Sequence, residues 1–480
     1  MKAHLQGIVL AALLPLAGCS LEPTYQTPES PIDQAWPDTA GKVDGTAHAA
    51  FTQDWRQFIS DARLRQLIER ALVNNRDLQQ VAASVAEARA TYQGASAARF
   101  PSLGLDTYSG RSKIPALEQT PGGGSSAGST ANTFQTTVGI TAYELDFFGR
   151  VRSQQHAAGA RFEASQADYQ TARLALIGEL AATWLTLKAN QSQLKLAQST
   201  FESQQRYSQL LRSSYNLGST ARIDVHQADA ITNTAAVQVT TYRMLVAQDL
   251  NALRVLVGEP VPPELLPDDR LGERMATADV PAGLPSDLLA RRPDIIAAQA
   301  QLRAANAEIG SARAAYFPSF SLTGALGSLS GDFSRLLTGP AEYWTLAALG
   351  SLTLLDGGQR KAGVDASWAR YDQRAAAYEQ TVLNAFREAA NALNARQEML
   401  AQVAAQNRLV EDYQQAYVQS RLRFEAGLDS YFSTMDAQRS LFGAQQQWLD
   451  LELAREINQV NLYKALGGGW EAPRAEHAAR

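Results

Sequence analysis

The sequence predicts a membrane protein of mixed α and β structure, an internal two-fold repeat whose strands are pooled between chains and whose helices form long coiled hairpins. Three observations predict it. The stretch SAARFPSLGLD (96–106) returns as RAAYFPSFSLTG (313–324), and the offset from Phe100 to Phe317 equals that from Asp77 to Asp294. None of the 18 prolines falls within residues 122–259 or 341–472, and proline inside a helix costs about 3 kcal/mol, so such windows read as helix. The chain opens on a secretory leader, yet no later run reaches the roughly 18 apolar residues that a spanning helix needs. If the mature chain crosses a membrane, it must do so as a closed β-barrel, because lipid satisfies no backbone hydrogen bonds.

Composition narrows the classes further. At 480 residues the length alone suggests about three domains, but the repeat argues for two long copies of one unit. Net charge is −5 and the pI is near 5.7, which leaves no basic footprint for nucleic acid. Abundant Ala and Gln favour helix.

In chain order, residues 1–18 are a signal peptide: Lys2 in a polar start, an apolar run from about Gly7 to Leu16, then small residues. Leu16-Ala17-Gly18-Cys19 resembles a bacterial lipobox, so Cys19, the only cysteine, is the expected lipidation site and new N-terminus. The alternative is an incidental buried thiol. Ser20, in place of Asp, fits sorting to the outer membrane. A single cysteine leaves no disulfides, so packing must supply stability. Residues 19–62 then form a lipidated N-terminal extension.

The first repeat spans 63–258: a helix, strands at about 101–113 and 133–146, and a helical hairpin over 150–257. Phe-Pro-Ser marks the helix-to-strand switch, because proline cannot continue the helix and biases the preceding residue to extended geometry. Leu103, Leu105 and Thr107 alternate with Gly104, Asp106 and Tyr108, and Phe134, Thr136, Val138 and Ile140 keep the same period of two. Alternation over about ten residues with aromatics near the ends fits membrane strands, with an ordinary surface hairpin as the alternative. Gly218 in YNLGST breaks the long helical window where a glycine past a helix end precedes N-cap residues. The first helix would then run about 65 residues, on the order of 100 Å.

Residues 259–283 form a Pro-rich linker, and the second repeat, 284–466, restates the plan with strands at about 319–328 and 343–355 and a hairpin over 360–466. Gly427 in FEAGLDS matches Gly218 in context: each follows an aromatic by three positions and precedes Ser, Thr or Asp. Asp429 reads as the N-cap of the returning helix. Leu145-Asp146 with Arg150 and Leu355-Asp356 with Arg360 place an acid and a base four positions apart at each helix start. Residues 467–480 are a tail. Ile177, Leu180, Trp184, Leu187, Leu194 and Phe201 step by 3, 4, 3, 7 and 7, heptad spacing interrupted by glutamines, which suits a wide helical cylinder with a wet interior. Two strands per copy give four per chain. About eight are needed to close a barrel, so strands must come from several chains.

The lipobox, the paired Phe-Pro-Ser switches, RRPDI (291–295), LLDGGQR (354–360), DAQRSLFGAQQ from Asp436 and the NLYKALGGGW ending together resemble the TolC-like outer-membrane efflux factors, lipoprotein branch. The resemblance covers almost the whole chain. It implies a trimeric channel with a pooled twelve-stranded β-barrel and a long α-helical periplasmic barrel. The expected role is the outer-membrane channel of a tripartite efflux pump, a passive duct for small molecules such as drugs. Expected partners are two further copies in a homotrimer, a periplasmic adaptor, an inner-membrane efflux transporter and outer-membrane lipid, with no nucleic acid. By the same resemblance Asp436 lines the closed periplasmic aperture with Arg439 as its basic partner, and Asp224 belongs to the gate's bonding network. Ser433 stands where some members carry a second aspartate, and Phe424 replaces a gate tyrosine. Read without the resemblance, Asp436 and Arg439 are a solvated i,i+3 pair worth about 0.3 kcal/mol. Two other readings stay open: an outer-membrane duct for protein secretion, and a periplasmic coiled-coil scaffold lipoprotein without a barrel.

No enzyme chemistry is expected. Gly124-Ser125-Ser126-Ala127-Gly128 spells G-x-S-x-G, but in a low-complexity loop without the strand–turn–helix context of a nucleophile elbow. His4, His48, His156, His226 and His477 show no metal-ligand spacing, so neither cofactor nor metal is expected.

Overall fold

The computed structural model describes residues 20–29, 31–32, 54–114, 129–268 and 291–468. The signal peptide, Cys19, the Gly124–Gly128 run, His4, His48, His477 and most of the linker and tail lie outside the described residues. In chain order the helices are α1 (Trp55–Phe58), α2 (Ala62–Asn74) and α3 (Arg76–Ala97), strands β1 (Leu103–Ile114) and β2 (Ser129–Glu144), then helices α4 (Arg150–Asn216) and α5 (Arg222–Val257). The second half carries α6 (Pro293–Ala314), β3 (Ser319–Ser330), β4 (Glu342–Ser351), α7 (Gln359–Glu425) and α8 (Tyr431–Ala465). The long helices α4 and α7 are each 67 residues. The chain divides into two compact units, each drawing segments from both halves.

The first unit (1–28, 86–164 and 299–377) holds one antiparallel sheet in the order β1-β2-β3-β4. Its register sorts the side chains. Leu103 faces Ile140, Leu105 faces Val138, Val138 faces Leu326 and Leu326 faces Trp344. Partners across a ladder share a face, so one face carries Leu103, Leu105, Phe134, Val138, Ile140, Leu322, Leu326, Trp344 and Leu346. The other carries Asp106, Gln135, Thr137, Gly139, Thr323, Ala325, Gly327 and Thr345, with Tyr108, Leu329, Tyr343 and Leu349 among its larger members. The apolar face is uncovered within the chain: Leu103, Trp344 and Leu346 are 73%, 70% and 70% exposed. On the small-residue face the strands curl tightly, since a Cβ at Gly139 would strike the Gly324 carbonyl and one at Gly327 the Thr136 carbonyl. Only glycine admits that approach. A β-bulge between Ile140 and Tyr143 puts Ala142 at φ 52°. Neither β1 nor β4 has an outer neighbour among the described residues.

The helix starts beneath the sheet differ between the copies. In the second, Asp356 accepts from the Arg360 backbone N–H at 3.0 Å and from its Nε at 2.6 Å. In the first, Arg150 pairs with Glu144, and Asp146 accepts from the Arg152 N–H at 2.8 Å. The expected Asp146–Arg150 match is therefore corrected: the extra carboxylate at the end of β2 takes the arginine and frees Asp146 to cap the helix. Residues 20–28 lie as a strap along α6. Arg313 donates to the Leu21 carbonyl at 3.3 Å, Asn306 to the Pro23 carbonyl at 2.8 Å and Gln299 to Thr27 Oγ1 at 3.2 Å, so that the strap follows one stripe of the helix. His156 Nδ1 meets Glu22 Oε2 at 3.0 Å.

The second unit (29–85, 165–298 and 378–480) contains the main core. Leu64, Leu67 and Ile68 of α2 pack with Leu180, Trp184 and Leu187 of α4, Leu253 of α5, Leu393 of α7 and Leu462 of α8. Trp184 is fully buried and its indole N–H donates to the Leu265 carbonyl at 3.3 Å. Each such side chain contributes about 1.5–3 kcal/mol by leaving water. Arg292, from the RRPDI stretch, is buried against Asp294 at 2.7 Å and Glu388 at 2.9 Å and donates to the Ala465 carbonyl at 3.0 Å. A buried guanidinium is tolerated because its donors are engaged. Among the described residues no helix is long and apolar enough to cross a membrane.

Candidate functional site

Two short turns in the second unit carry the residues that the sequence singles out. After α4 the Ser219 N–H returns to the Ser214 carbonyl and the Gly218 N–H to the Tyr215 carbonyl, both at 2.9 Å. After α7 the Leu428 N–H reaches the Arg423 carbonyl and the Gly427 N–H the Phe424 carbonyl, again at 2.9 Å. Gly218 and Gly427 sit at φ +75° and +72°, and a Cβ on either would meet nothing within 4 Å. Glycine is needed there for its left-handed backbone rather than for space.

Beyond the first turn, Asp224 Oδ2 accepts from Thr220 Oγ1 at 2.9 Å and from the Ala221 N–H at 3.2 Å. Its carboxylate reaches back to satisfy the start of α5, half of a capping box. Beyond the second turn the N-cap of α8 is Ser430. Asp429, read from sequence as that cap, lies one residue outside the helix. It accepts from the Ser433 hydroxyl at 3.1 Å and from Arg423 Nε at 3.4 Å, and its carboxyl is held below the ordinary range, first by the Ser430 N–H. A turn one residue longer than a bare cap accounts for the difference.

Asp436 and Arg439 come together on α8: Arg439 donates to Asp436 Oδ1 at 2.6 Å, with the two side chains 50% and 73% exposed. Among the described residues no hydrogen bond or ion pair joins Asp224 to either. Within one chain Asp436–Arg439 is a surface pair, and Asp224 belongs to its own helix start.

Two further features escaped the sequence reading. Asp229 of α5 accepts from Ser208 Oγ at 2.6 Å and from Arg212 at 2.7 Å, clamping α5 to α4. The Ser208 hydroxyl, then the Arg212 guanidinium, keep the Asp229 carboxyl below its usual range. Counting outward from Gly218 would have found it, since antiparallel neighbours lie at similar distances on either side of a turn. Tyr431 is buried at the head of α8, with its OH donating to Gln204 Oε1 of α4 at 3.1 Å and its ring 5.5 Å from Tyr207 and 5.4 Å from Phe424. Burial pushes the Tyr431 hydroxyl pKa up. The bond ties the hairpin of one copy to that of the other, a pairing so distant along the chain that no local period encodes it. Among the described residues no group of three or more His, Cys, Asp and Glu converges as a metal site.

Comparison with known proteins completes the picture. The sequence profile of the family described as outer membrane efflux protein matches residues 67–259 and 284–468. The two matched segments start at the same offset from one another as the two Phe-Pro-Ser switches. The chain is 40% identical to the toluene efflux pump outer membrane protein TtgC of Pseudomonas putida, over 98% of this chain and 96% of that one. A solved structure of a membrane protein from Pseudomonas aeruginosa superposes with a TM-score of 0.87 at 34% identity, covering 95% of this chain and 99% of the other. The open state of the MtrE outer membrane channel of Neisseria gonorrhoeae does so with 0.81 at 28% identity, covering 94% and 98%.

Proposed function

Because the chain belongs to the outer membrane efflux protein family, we propose that three copies assemble into one passive exit duct through the outer membrane. The single observation that carries this reading is the sheet, which among the described residues has four strands, one face rich in large apolar side chains and two edges without an outer neighbour. Pairing β4 of one copy with β1 of the next would satisfy both edges, bring the strand count to twelve and turn the apolar face to lipid. The small and polar face would line the lumen.

The chain works as the outer-membrane component of an efflux pump. Its cargo is small molecules, drugs and solvents among them; the toluene named for its relative TtgC supports an apolar class. The duct supplies no energy. An inner-membrane transporter drives export, and a periplasmic adaptor engages the helical hairpins at Gly218 and Gly427. Cys19 carries the lipid anchor; the strap that follows it supports this, since Leu21 lies beside Arg313, shortly before β3 begins at Ser319. Asp436 forms a ring with its two symmetry mates at the periplasmic constriction, held by Arg439, with Asp224 bracing the adjacent turn. Carboxylates so placed repel one another unless cations or arginines sit between them, and they bias the passage toward cations.

The test is the mass of the detergent-extracted protein by native mass spectrometry, together with conductance in planar bilayers. A trimer with discrete conductance steps is expected. A monomer that inserts no channel would return the chain to the scaffold reading.

A further inference from the structure

In the first unit, three arginines wall a cleft of about 410 Å³: Arg161 on α4, and Arg370 and Arg374 one helical turn apart on α7. Its floor is Ala304 and Ala305 of α6, both buried. Arg161 is paired with Glu308. Arg370 and Arg374 are exposed and have no carboxylate partner among the described residues. The cleft therefore carries two uncompensated positive charges.

Which way the cleft faces follows from helix periodicity. The strap of residues 20–28 lies on the α6 stripe of Gln299, Asn306 and Arg313. At 3.6 residues per turn, Ala304 and Glu308 lie about 160° around α6 from that stripe, and Ala305 about 100°. On α4, Arg161 lies about 140° from His156, the residue that meets the strap. The strap leads from the lipid-anchored end of the chain, so its face is the outside of the duct. The opposite face, with the cleft, is the inside.

We propose that this cleft is an oxyanion-binding site on the lumen wall, close beneath the barrel, which takes multiply charged phosphate or carboxylate groups. The inference rests on the duct reading above. Two guanidiniums at i,i+4 present parallel forks that can each hold a pair of oxygens, geometry that an ammonium lacks. Repeated in three copies, the clefts would form a positive girdle beneath the barrel. The Asp436 ring disfavours anions at the constriction, and the clefts hold an anion that has passed it before release.

The experiment is planar-bilayer conductance at about 0.1 M salt, where the Debye length is about 10 Å and the charges are not yet screened out. Inorganic pyrophosphate is titrated on the barrel side against wild type, Arg370→Gln/Arg374→Gln and Arg370→Lys/Arg374→Lys, each shown to be trimeric by native mass spectrometry. Pyrophosphate is expected to reduce the wild-type conductance in a saturable way. The Gln pair should need about tenfold more for the same block, a size typical of losing charge-assisted bonds, and the Lys pair, which keeps the charge but not the fork, should fall between the two. Equal block in wild type and the Gln pair, or no block of an otherwise conducting wild type, would overturn the site while leaving the duct intact. Absence of any channel in all three proteins would overturn the duct, and the site with it.

Discussion

Placing a charge on β4 separates its two faces. Leu346 stands at the middle of the ten-residue strand Glu342–Ser351, directly opposite Gly324, and 70% of its surface is uncovered within the chain. Thr345, its neighbour, points to the other face, opposite Ala325. In a closed barrel Leu346 lies near the middle of the lipid band, where an arginine costs about 2–4 kcal/mol, whereas a lumen-facing arginine stays in water and costs little. The cost recurs in each copy, so Leu346→Arg should weaken the trimer by roughly 6–12 kcal/mol in total, enough to abolish assembly. Thr345→Arg should leave assembly within about 1 kcal/mol per copy of wild type. The assay is urea titration of folding into lipid vesicles, read by the loss of heat-modifiable trimer on gels. If Thr345→Arg is as damaging as Leu346→Arg, or if Leu346→Arg assembles normally, the assignment of faces from the strand register is wrong.

Two other outcomes bear on the hairpin ends. Asp436→Ala with Arg439→Ala should leave stability within about 0.5 kcal/mol, since a pair this exposed contributes little to folding, yet raise single-channel conductance above the wild-type level. Conductance that stays at that level moves the constriction elsewhere. The Asp229 clamp should be insensitive to mild acid. Its folded-state carboxyl pKa lies below the unfolded value, so its contribution is full above about pH 4 and is lost as the pH falls through the folded value. Hydrogen exchange around Gly218, corrected for intrinsic rates, should therefore stay flat from about pH 7 to 5 and rise only in stronger acid. Asp229→Asn should remove that dependence; protection lost already between pH 7 and 5 would point to another group.

The sequence by itself determined what depends on neighbours along the chain. Proline exclusion, helix-breaking Phe-Pro-Ser and period-two alternation are local backbone and side-chain rules, so the mixture of long helix and sheet is written into the residues that form it. The constant offset that relates Phe100 to Phe317 and Asp77 to Asp294 carries the repeat for the same reason: duplication preserves spacing.

Tertiary structure decided whatever depends on which distant residues meet. Glu144 rather than Asp146 takes Arg150, because the end of β2 brings the two side chains together. Tyr431 reaches Gln204 across the two copies, and no spacing along one chain foretells such a contact. The strand register that divides Leu346 from Thr345 is fixed by pairing between β3 and β4; alternation reveals two faces but not which ones align across the sheet. The cleft of Arg161, Arg370 and Arg374 is the extreme case. Its charges come from α4 in the first copy of the repeat and α7 in the second, over the alanines of α6, and only the packing of those helices makes scattered arginines into one site.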